Sequence, residues 1–385
     1  MHAANTQTTD ETHEIAQPKT KYPTGVQTAD VRAEEILSAD VQPAGMRAAG
    51  VQTADVQAAD RQPARQSAID THAHVYPARY LDFLENIGVS PDSTAVARNL
   101  RADDAETDMH ERLRMMDAAG VQMQILSATP QLPFISNATD AAAAVRMIND
   151  VYAAIVERRP DRFRAYGALP LPHIEESLAE IAYIFDELGR EAGFLGVALN
   201  TFVGADGSLT DPALLPIFEE LDRRSAIVYI HPAGGAAGCS AIADHGLTWV
   251  NGAPIEDATA VLQLLKADYP YTFPHITFHI AHLGGDLPFL AQRIQDNYDD
   301  WHAFAHSPAE TFHRLYVDAA NFHQPSLRMA LETYGVSQVM AGSDYPYFQD
   351  DKYTRAMDYI RTAGLPDTAR DAVLFGNAKR LYQLG

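Results

Sequence analysis

Two histidines separated by one residue are the first feature of the chain that could do chemistry. His72 and His74 end the apolar run AIDTHAH. Because side chains alternate along a strand, both imidazoles would point to the same side and could share one divalent ion. The pair is weak evidence alone, since a chain with 15 histidines is expected to contain roughly one such pair by chance.

Three further polar residues end apolar runs later in the chain. His231 ends IVYIH, His282 ends ITFHIAH and Asp344 ends VMAGSD. All would lie at the carboxyl ends of strands, where barrel enzymes place their active sites. A carboxylate after a mostly apolar run is costly to bury unless a cation compensates it. The pattern favours a metal site formed by His72, His74, His231 and Asp344 over a coincidence of polar strand ends. Because His282 also ends a strand, we expect this histidine to be functional.

The elements that must position these residues alternate regularly from Ser67 onward. Amphipathic helical segments separate eight β-rich apolar runs, which are residues 68–74, 121–127, 163–169, 194–200, 226–232, 276–282, 315–321 and 338–344. Strands that alternate with helices indicate a parallel sheet, and eight such units predict an α/β fold of the (β/α)8 TIM-barrel type. An open doubly wound sheet is the alternative. It is disfavoured because no G-x-G-x-x-G motif follows a strand.

The first 66 residues differ in composition from the rest of the chain. They are rich in Ala, Gln, Thr and Asp, and the hexapeptide VQTADV occurs at residues 26–31 and again at 51–56. Such a segment cannot bury enough apolar surface to offset the entropy of ordering it. We therefore predict a disordered extension over residues 1–66, followed by one metal-dependent barrel domain over residues 67–385.

Composition excludes several classes of partner. The formal net charge of −22 would repel nucleic acid and anionic membranes, so we expect neither as a partner. No apolar run is long enough to predict a transmembrane helix, and the start MHAANTQTTDETHE lacks the features of a secretory signal. Cys239 is the only cysteine, which excludes an intramolecular disulfide and a cysteine-based zinc site. These features predict a cytoplasmic protein.

Six motifs between residues 68 and 350 carry a resemblance to a known family. They are DTHAH, ERLRMMDAAGVQMQILS, YIHP, WVNGAPIEDATA, HIAHLGGDLPFLAQRI and GSDYPY. Together they resemble the amidohydrolase superfamily, in the branch that includes aminocarboxymuconate semialdehyde, γ-resorcylate and 6-methylsalicylate decarboxylases. The resemblance implies the ligand set His72, His74, His231 and Asp344, usually for zinc and sometimes for manganese. It also implies that His282 acts as an acid or base. Asp344 could likewise accept a proton.

The same resemblance implies substrate-binding residues. Arg112 and Arg293 match arginines that grip the substrate carboxylate, and Trp249 matches a pocket tryptophan. The counterpart of Arg293 reaches into the neighbouring subunit's site, so a homodimer is expected. Each residue has a simpler interpretation: a solvated helix residue for Arg112, a surface ion-pair partner for Arg293 and ordinary packing for Trp249. The fourth strand, FLGVALN, ends without the lysine that bridges two metals in other amidohydrolases, so we expect one ion.

Three functions remain open at the level of the sequence. The resemblance favours a metal-dependent, non-oxidative decarboxylase (a carboxy-lyase) that acts on a small aromatic or enol carboxylate. A hydrolase of a lactone, amide or ester would use the same ligands with metal hydroxide as the nucleophile. A non-catalytic barrel that binds metal for structural reasons is the third possibility. The substrate itself is not predicted, because substrate choice depends on loops.

Overall fold

The strands follow the predicted pattern closely in the computed structural model, which describes residues 67–204 and 207–384. The predicted disordered extension of residues 1–66 lies outside the described residues. Each of the eight predicted strands begins within one residue of its expected start, and a short hairpin is added between the fourth and fifth. The strands are β1 (Ala68–His74), β2 (Val121–Ser127), β3 (Phe163–Ala168), β4 (Phe194–Asn200), β5 (Phe202–Val203), β6 (Gly207–Ser208), β7 (Ile227–His231), β8 (Thr277–Ile280), β9 (Tyr316–Asp318) and β10 (Val339–Met340).

Helices fill the connections between the strands. Among the described residues, none combines the length and apolarity needed to cross a bilayer. They are α1 (Ala78–Asn86), α2 (Pro91–Thr94), α3 (Glu106–Ala119), α4 (Ala138–Arg158), α5 (Ile174–Ala182), α6 (Leu215–Arg223), α7 (Ser240–Ala243), α8 (Ala253–Lys266), α9 (Tyr269–Thr272), α10 (Leu287–Trp301), α11 (Pro308–Phe312), α12 (Gln324–Tyr334), α13 (Asp351–Arg361), α14 (Asp367–Asp371) and α15 (Asn377–Tyr382).

Helix α4 shows why these segments fold as they do. Asn137 precedes it and accepts a hydrogen bond from the first turn, which satisfies a backbone N–H that the helix itself leaves unpaired. Val145, Ile148, Tyr152 and Ile155 follow at helical spacing and are all buried. Burying each large apolar side chain contributes about 1.5–3 kcal/mol. The outer helices therefore cover the barrel with one apolar face each.

The sheet closes on itself. Eight parallel strands run in the order β1-β2-β3-β4-β7-β8-β9-β10. The N–H of Thr71 in β1 donates to the carbonyl of Ala341 at 2.9 Å, and the N–H of His74 donates to the carbonyl of Tyr345 at 2.7 Å. The segment after β10 therefore pairs with β1. The predicted (β/α)8 barrel is confirmed, and the doubly wound alternative is wrong.

A buried carboxylate stabilises this closure. Asp70 in β1 is fully buried and accepts hydrogen bonds from the hydroxyl of Ser343 at 2.6 Å and from its N–H at 2.9 Å. The amide of Gln124 and the hydroxyl of Tyr353 also donate to it, at 2.9 and 3.1 Å. Burial raises the pKa of Asp70, while these donors satisfy its oxygens. Asp70 thereby fixes the register between β1 and the chain that follows β10.

Candidate metal centre

The four predicted ligands lie together at the carboxyl end of the barrel. His72 Nε2 is 3.3 Å from Asp344 Oδ1, and His74 Nε2 is 3.4 Å from the same oxygen. The ring of His231 lies with its centroid 5.0 Å from that of His72 and 4.9 Å from that of His74. Barrel closure explains the cluster, because the N–H of Asp344 donates to the carbonyl of His72 at 2.9 Å.

Each of the three imidazoles is oriented through its Nδ1 atom. The Nδ1 of His72 lies 3.0 Å from both carboxylate oxygens of Asp318. The Nδ1 atoms of His74 and His231 lie 3.2 and 3.0 Å from backbone carbonyl oxygens. Carboxylate and carbonyl oxygens only accept hydrogen bonds, so each Nδ1 donates. Each Nε2 can therefore offer its lone pair to a metal, which is the usual arrangement around a ligating histidine.

The ligand atoms fit a divalent cation. The Nε2 atoms of His72, His74 and His231 and the Oδ1 of Asp344 are buried and have no hydrogen-bond partner among the described residues. Leaving one buried polar atom unpaired costs about 1–3 kcal/mol, so four at one place need compensation. Nitrogen and oxygen donors from three histidines and one carboxylate suit zinc or manganese. His282 is also close, since ligand atoms of His72, His231, His282 and Asp344 lie within 4.8 Å of one another.

Burial and neighbouring charges set the protonation of these groups. Burial lowers the pKa of His74 to about 4 and that of His231 well below its usual range. Burial also opposes the charge on His72, but Asp318 outweighs it and raises the pKa of His72 to about 9. In return, His72 lowers the pKa of Asp318 to about 2 despite burial of the carboxyl. Without an ion, the raised pKa places a proton on Nε2 of His72, and a bound divalent ion would replace that proton. The ionised carboxylate behind the ring strengthens the imidazole as an electron donor to such an ion.

His282 is oriented differently from the ligands. Its Nδ1 lies 2.9 Å from Oδ2 of the buried Asp257 in α8, and its Nε2 is 3.7 Å from Oδ2 of Asp344. Burial raises the pKa of Asp257 to about 7. Burial opposes the charge on His282, yet Asp257 outweighs it and raises the pKa of His282 well above its usual value. This imidazole therefore holds a proton at the edge of the ligand cluster.

Two of these residues have strained backbones. His282 and Asp344 have φ angles of 53° and 55°, in the left-handed region that residues other than glycine rarely adopt. Such conformations cost about 1–3 kcal/mol each and cluster at functional sites. Gly342 permits the close approach of the neighbouring strands, because a Cβ atom at this position would lie 2.9 Å from the Cβ of His72.

Asp318 links the ligand cluster to the interior of the barrel. Besides His72, its carboxylate accepts hydrogen bonds from the N–H of His282 at 3.2 Å, the N–H of Ala320 at 3.1 Å and the hydroxyl of Tyr229 at 3.3 Å. One buried carboxylate at the end of β9 therefore holds both a predicted ligand and the predicted acid–base histidine.

A row of buried polar groups continues behind Asp318. The Nε2 of His279 lies 3.6 Å from Asp318 Oδ2, and its Nδ1 lies 3.0 Å from the hydroxyl of Tyr166. The hydroxyls of Tyr166 and Tyr382 are 2.6 Å apart. Burial lowers the pKa of His279 to about 4, so the ring is neutral and its Nε2–H faces the carboxylate. We call Asp318, His279, Tyr166 and Tyr382 the inner polar chain.

One cavity is lined by residues of the ligand cluster, and a second cavity shares two lining residues with the first. The inner cavity has a volume of about 320 Å³ and is lined by His231, His282 and Asp344 together with mainly apolar side chains, among them Phe322 and Phe348. The outer cavity has a volume of about 700 Å³, and Val96 and Trp249 line both cavities. Neither cavity is lined by an arginine or lysine from the part of the chain that the structure describes.

The three predicted substrate-binding residues lie in different environments. Trp249 is 46% exposed and lines both cavities. Arg112 is 1% exposed, so it is not a solvated helix residue. Its guanidinium donates to the carbonyl of His74 at 2.6 Å and lies 4.2 Å from the ring centre of Tyr345. Arg293 is an exposed residue of α10. The structure therefore brings Trp249 to the cavities and places both arginines outside their linings.

Sequence reasoning missed two carboxylates of this site. Asp318 ends β9, and its place after an apolar run is the same signal that identified Asp344. Asp257 lies in the motif WVNGAPIEDATA, but a helical carboxylate has no spacing that indicates which histidine it meets. Only the fold brings it to His282.

Comparisons with known proteins agree with this architecture. The Amidohydrolase family matches residues 69–384. The chain is 27% identical to 2-amino-3-carboxymuconate-6-semialdehyde decarboxylase of Dictyostelium discoideum, over 74% of this chain and 82% of that protein. It is 28% identical to γ-resorcylate decarboxylase of Rhizobium radiobacter, over 71% of this chain and 86% of that protein.

A solved structure shares the fold. The dihydroxybenzoic acid decarboxylase of Polaromonas sp. JS666, with bound manganese and the inhibitor 2-nitroresorcinol, matches with a TM-score of 0.71 and 23% identity. The match covers 83% of this chain and 98% of that one. Because the family match extends over most of the described barrel, the chain belongs to the amidohydrolase family.

Proposed function

We propose that the protein is a metal-dependent, non-oxidative decarboxylase, a carboxy-lyase that acts on a small aromatic or enol carboxylate. The observation that carries this proposal is the proton-holding pair of His282 and Asp257, placed beside four unpaired ligand atoms at a largely apolar cavity. The decarboxylases of Dictyostelium and Rhizobium named above, which match over more than four fifths of their own length, support the same reaction.

The proposed ligands are His72, His74, His231 and Asp344, which would hold one divalent ion. We propose zinc as the ion, following the family resemblance, with manganese as the alternative. The donor set suits both metals, and the Polaromonas structure contains manganese. When bound, the ion would supply a Lewis acid that stabilises negative charge developing on the substrate.

The residues of this chain perform the proton step. Cleavage of the bond between the substrate carbon and its carboxylate releases CO2 and leaves the electron pair on that carbon. His282 holds a proton through Asp257 and donates it from Nε2 to this carbon, which forms the new C–H bond. Asp344 Oδ2, 3.7 Å from that nitrogen, stabilises the protonated imidazole and could accept a proton. The apolar walls keep water away from the carbanion-like centre.

The substrate carboxylate lacks a cationic partner in the described linings of both cavities. We propose that a homodimer supplies one, with Arg293 reaching the neighbouring subunit. Three exposed residues of α10 support this role: Arg293 itself, Phe289 at 77% and Trp301 at 75% exposure. Large apolar side chains beside an exposed arginine are typical of an interface. Arg112, which bonds the carbonyl of His74, would act by positioning that ligand. A cytoplasmic location also remains our proposal.

Metal analysis followed by a CO2-release assay tests the function. Purified protein is analysed for zinc and manganese. It is then assayed in water enriched in ¹⁸O with two substrate classes: hydroxybenzoates, 6-methylsalicylate and the muconate semialdehyde for decarboxylation, and lactones, amides and esters for hydrolysis. Release of CO2 with a solvent-derived C–H bond and no ¹⁸O in the organic product supports decarboxylation. Ring opening or ester cleavage with ¹⁸O uptake would instead establish the hydrolase. Bound metal without turnover of either substrate class would favour the non-catalytic barrel.

A further inference from the structure

The peptide group between Pro232 and Ala233 connects a candidate metal ligand to a buried carboxylate. Its carbonyl oxygen lies 3.0 Å from the Nδ1 of His231, which donates to it. Its N–H donates to Oε2 of Glu256 at 2.6 Å and to Oγ1 of Thr201 at 3.0 Å. The carbonyl and the N–H of one planar amide therefore face the imidazole and the carboxylate respectively.

Glu256 lies in α8 and is fully buried. Its Oε2 also accepts hydrogen bonds from the hydroxyl of Thr201 at 2.8 Å and from the N–H of Gly234 at 3.2 Å. Its Oε1 accepts one from the N–H of Ala236 at 2.6 Å. A buried carboxylate is costly unless hydrogen bonds compensate it. Because three of the donors belong to residues 233–236, the carboxylate fixes the loop that follows β7.

The contacts of this peptide group bear on the imidazole of His231. A carboxylate that accepts a hydrogen bond from a peptide N–H polarises the amide and makes its carbonyl oxygen a stronger acceptor. A stronger acceptor behind Nδ1 fixes the orientation of the ring and makes Nε2 a better electron donor to a metal. Asp318 contacts Nδ1 of His72 directly, whereas Glu256 reaches His231 through one peptide group.

Two consecutive residues of α8 thus face two different histidines. Asp257 contacts the Nδ1 of His282 at 2.9 Å, and Glu256 holds the peptide group beside His231. Successive side chains of a helix point about 100° apart, so one short stretch of α8 can serve both. The carbonyl of His231 is held as well, because it accepts a hydrogen bond from the N–H of Thr201 at 2.8 Å.

We propose that Glu256 is a positioning residue of the metal centre, which orients His231 and strengthens its Nε2 as a ligand through the peptide between Pro232 and Ala233. This inference rests on the ligand set of the proposed function and is independent of the reaction that the metal supports. The alternative is a structural role, in which Glu256 anchors the loop after β7 and has no effect on the ligand.

Chelator competition on the metal-loaded protein distinguishes the two roles. Glu256→Gln keeps the shape of the side chain, removes its charge and turns one acceptor into a donor. Direct partners of metal ligands contribute 10–100-fold to affinity, so we expect a loss of about tenfold for a partner that acts through a peptide. Glu180→Gln is the matched control, since Glu180 is 3% exposed and accepts hydrogen bonds from Arg146 and Asn149. It should lower the Tm and leave the metal affinity unchanged.

Proton NMR of the cobalt-substituted protein gives a signal that reports on single ligands. The imidazole N–H protons of histidines bound to cobalt are strongly shifted and are identified by their exchange with water. Three candidate ligands donate through Nδ1, so we expect three such signals. Glu256→Gln should move one of them and leave the other two in place, and Glu180→Gln should move none.

A second pair of variants applies if Glu256→Gln does not fold. Thr201→Val removes the hydroxyl that contacts both Glu256 and the N–H of Ala233, and it should lower the metal affinity by less than Glu256→Gln. Thr201→Ser retains the hydroxyl and should keep the affinity.

The possible failures of the inference and of the proposed metal centre are distinct. Unchanged affinity and unchanged cobalt signals in Glu256→Gln, equal movement of all three signals, or equal affinities of the two Thr201 variants would overturn the inference and leave Glu256 with a structural role only. An unmodified protein that binds neither cobalt, zinc nor manganese would overturn the ligand set itself. Metal binding without decarboxylation would contradict the proposed reaction and leave the role of Glu256 intact.

Discussion

The Nδ1 of His282 lies 2.9 Å from the buried Oδ2 of Asp257, a contact between the end of a barrel strand and the helix that covers it. A carboxylate at this position holds the imidazole in one orientation and favours its protonated form. The three other histidines of the cluster turn an unpaired Nε2 inward. In His282, by contrast, Nδ1 contacts Asp257 and the side chain lines the inner cavity. This difference distinguishes the proposed acid, His282, from the candidate ligands beside it.

Removing this pair should stop the reaction without removing the metal. We expect His282→Ala to lower kcat by about 10²–10⁴, the usual contribution of a general acid or base, with metal content unchanged. Asp257→Asn should lower kcat less. Because it removes the charge that raises the pKa of His282, it should also lower this pKa and shift the pH profile of kcat to lower pH. Metal analysis and pH-rate profiles measure both. Loss of metal from His282→Ala would make this residue a ligand and contradict its assignment as the acid.

Metal removal should destabilise the barrel. Without an ion, four buried atoms of His72, His74, His231 and Asp344 remain unpaired. Binding of the ion at a hundredfold excess over its Kd would stabilise the fold by about 2.7 kcal/mol. Thermal unfolding of the chelator-treated protein should therefore occur at a lower Tm, and added zinc or manganese should restore it. An unchanged Tm after complete removal, verified by metal analysis, would show that the cluster does not bind the ion tightly.

The order of strands and the clustering of the four candidate ligands at the strand ends could be predicted because both depend on local patterns. An apolar run that ends in a polar residue marks a strand and its carboxyl end together, as at His231 and Asp344. The partners behind the ligands could not be predicted, because they depend on which elements meet in space. Asp257 reaches His282 from α8, and Tyr382 reaches the barrel interior from the last helix, over a separation of 216 residues from Tyr166.

The burial of the Arg112 side chain was equally hard to predict from the sequence. Arg112 is part of the polar helical segment ERLRMMD, which indicates solvent. The closed barrel nevertheless buries it against the backbone of β1. A single pattern of polar and apolar residues cannot distinguish a buried, fully bonded arginine from a solvated one, because both occupy a polar position in the sequence.

The inner polar chain should tune metal affinity from a distance. Tyr382→Phe removes the hydroxyl that bonds Tyr166, which loosens His279 and the Asp318 carboxylate behind His72. Changing outer partners of a metal ligand typically costs 10–100-fold in affinity, so we expect a loss of about tenfold at this more remote position. Chelator competition measures it, and the absorption spectrum of the cobalt-substituted protein reports whether the ligand geometry has changed.

A matched control separates this effect from general destabilisation. Tyr80 is also buried, and its hydroxyl donates to the backbone carbonyl of Gln131, which does not belong to the inner polar chain. Tyr80→Phe should therefore leave metal affinity and the cobalt spectrum as in the unmodified protein. Equal changes in both variants, or no change in Tyr382→Phe, would rule out a positioning role for the inner polar chain.

Mixing two inactive variants should test whether Arg293 acts on the neighbouring subunit. Arg293→Ala keeps His282, and His282→Ala keeps Arg293. If the arginine reaches across a dimer, a mixed dimer has one site with both residues intact. Random exchange of subunits should then restore roughly a quarter of the normal activity per site, since half of the dimers are mixed and each has one complete site. Light scattering establishes the dimer beforehand. If Arg293 acts within its own chain, every site in the mixture lacks one of the two residues, and the activity stays at the level of the single variants. A protein that is monomeric in solution would exclude a role of Arg293 in a neighbouring subunit.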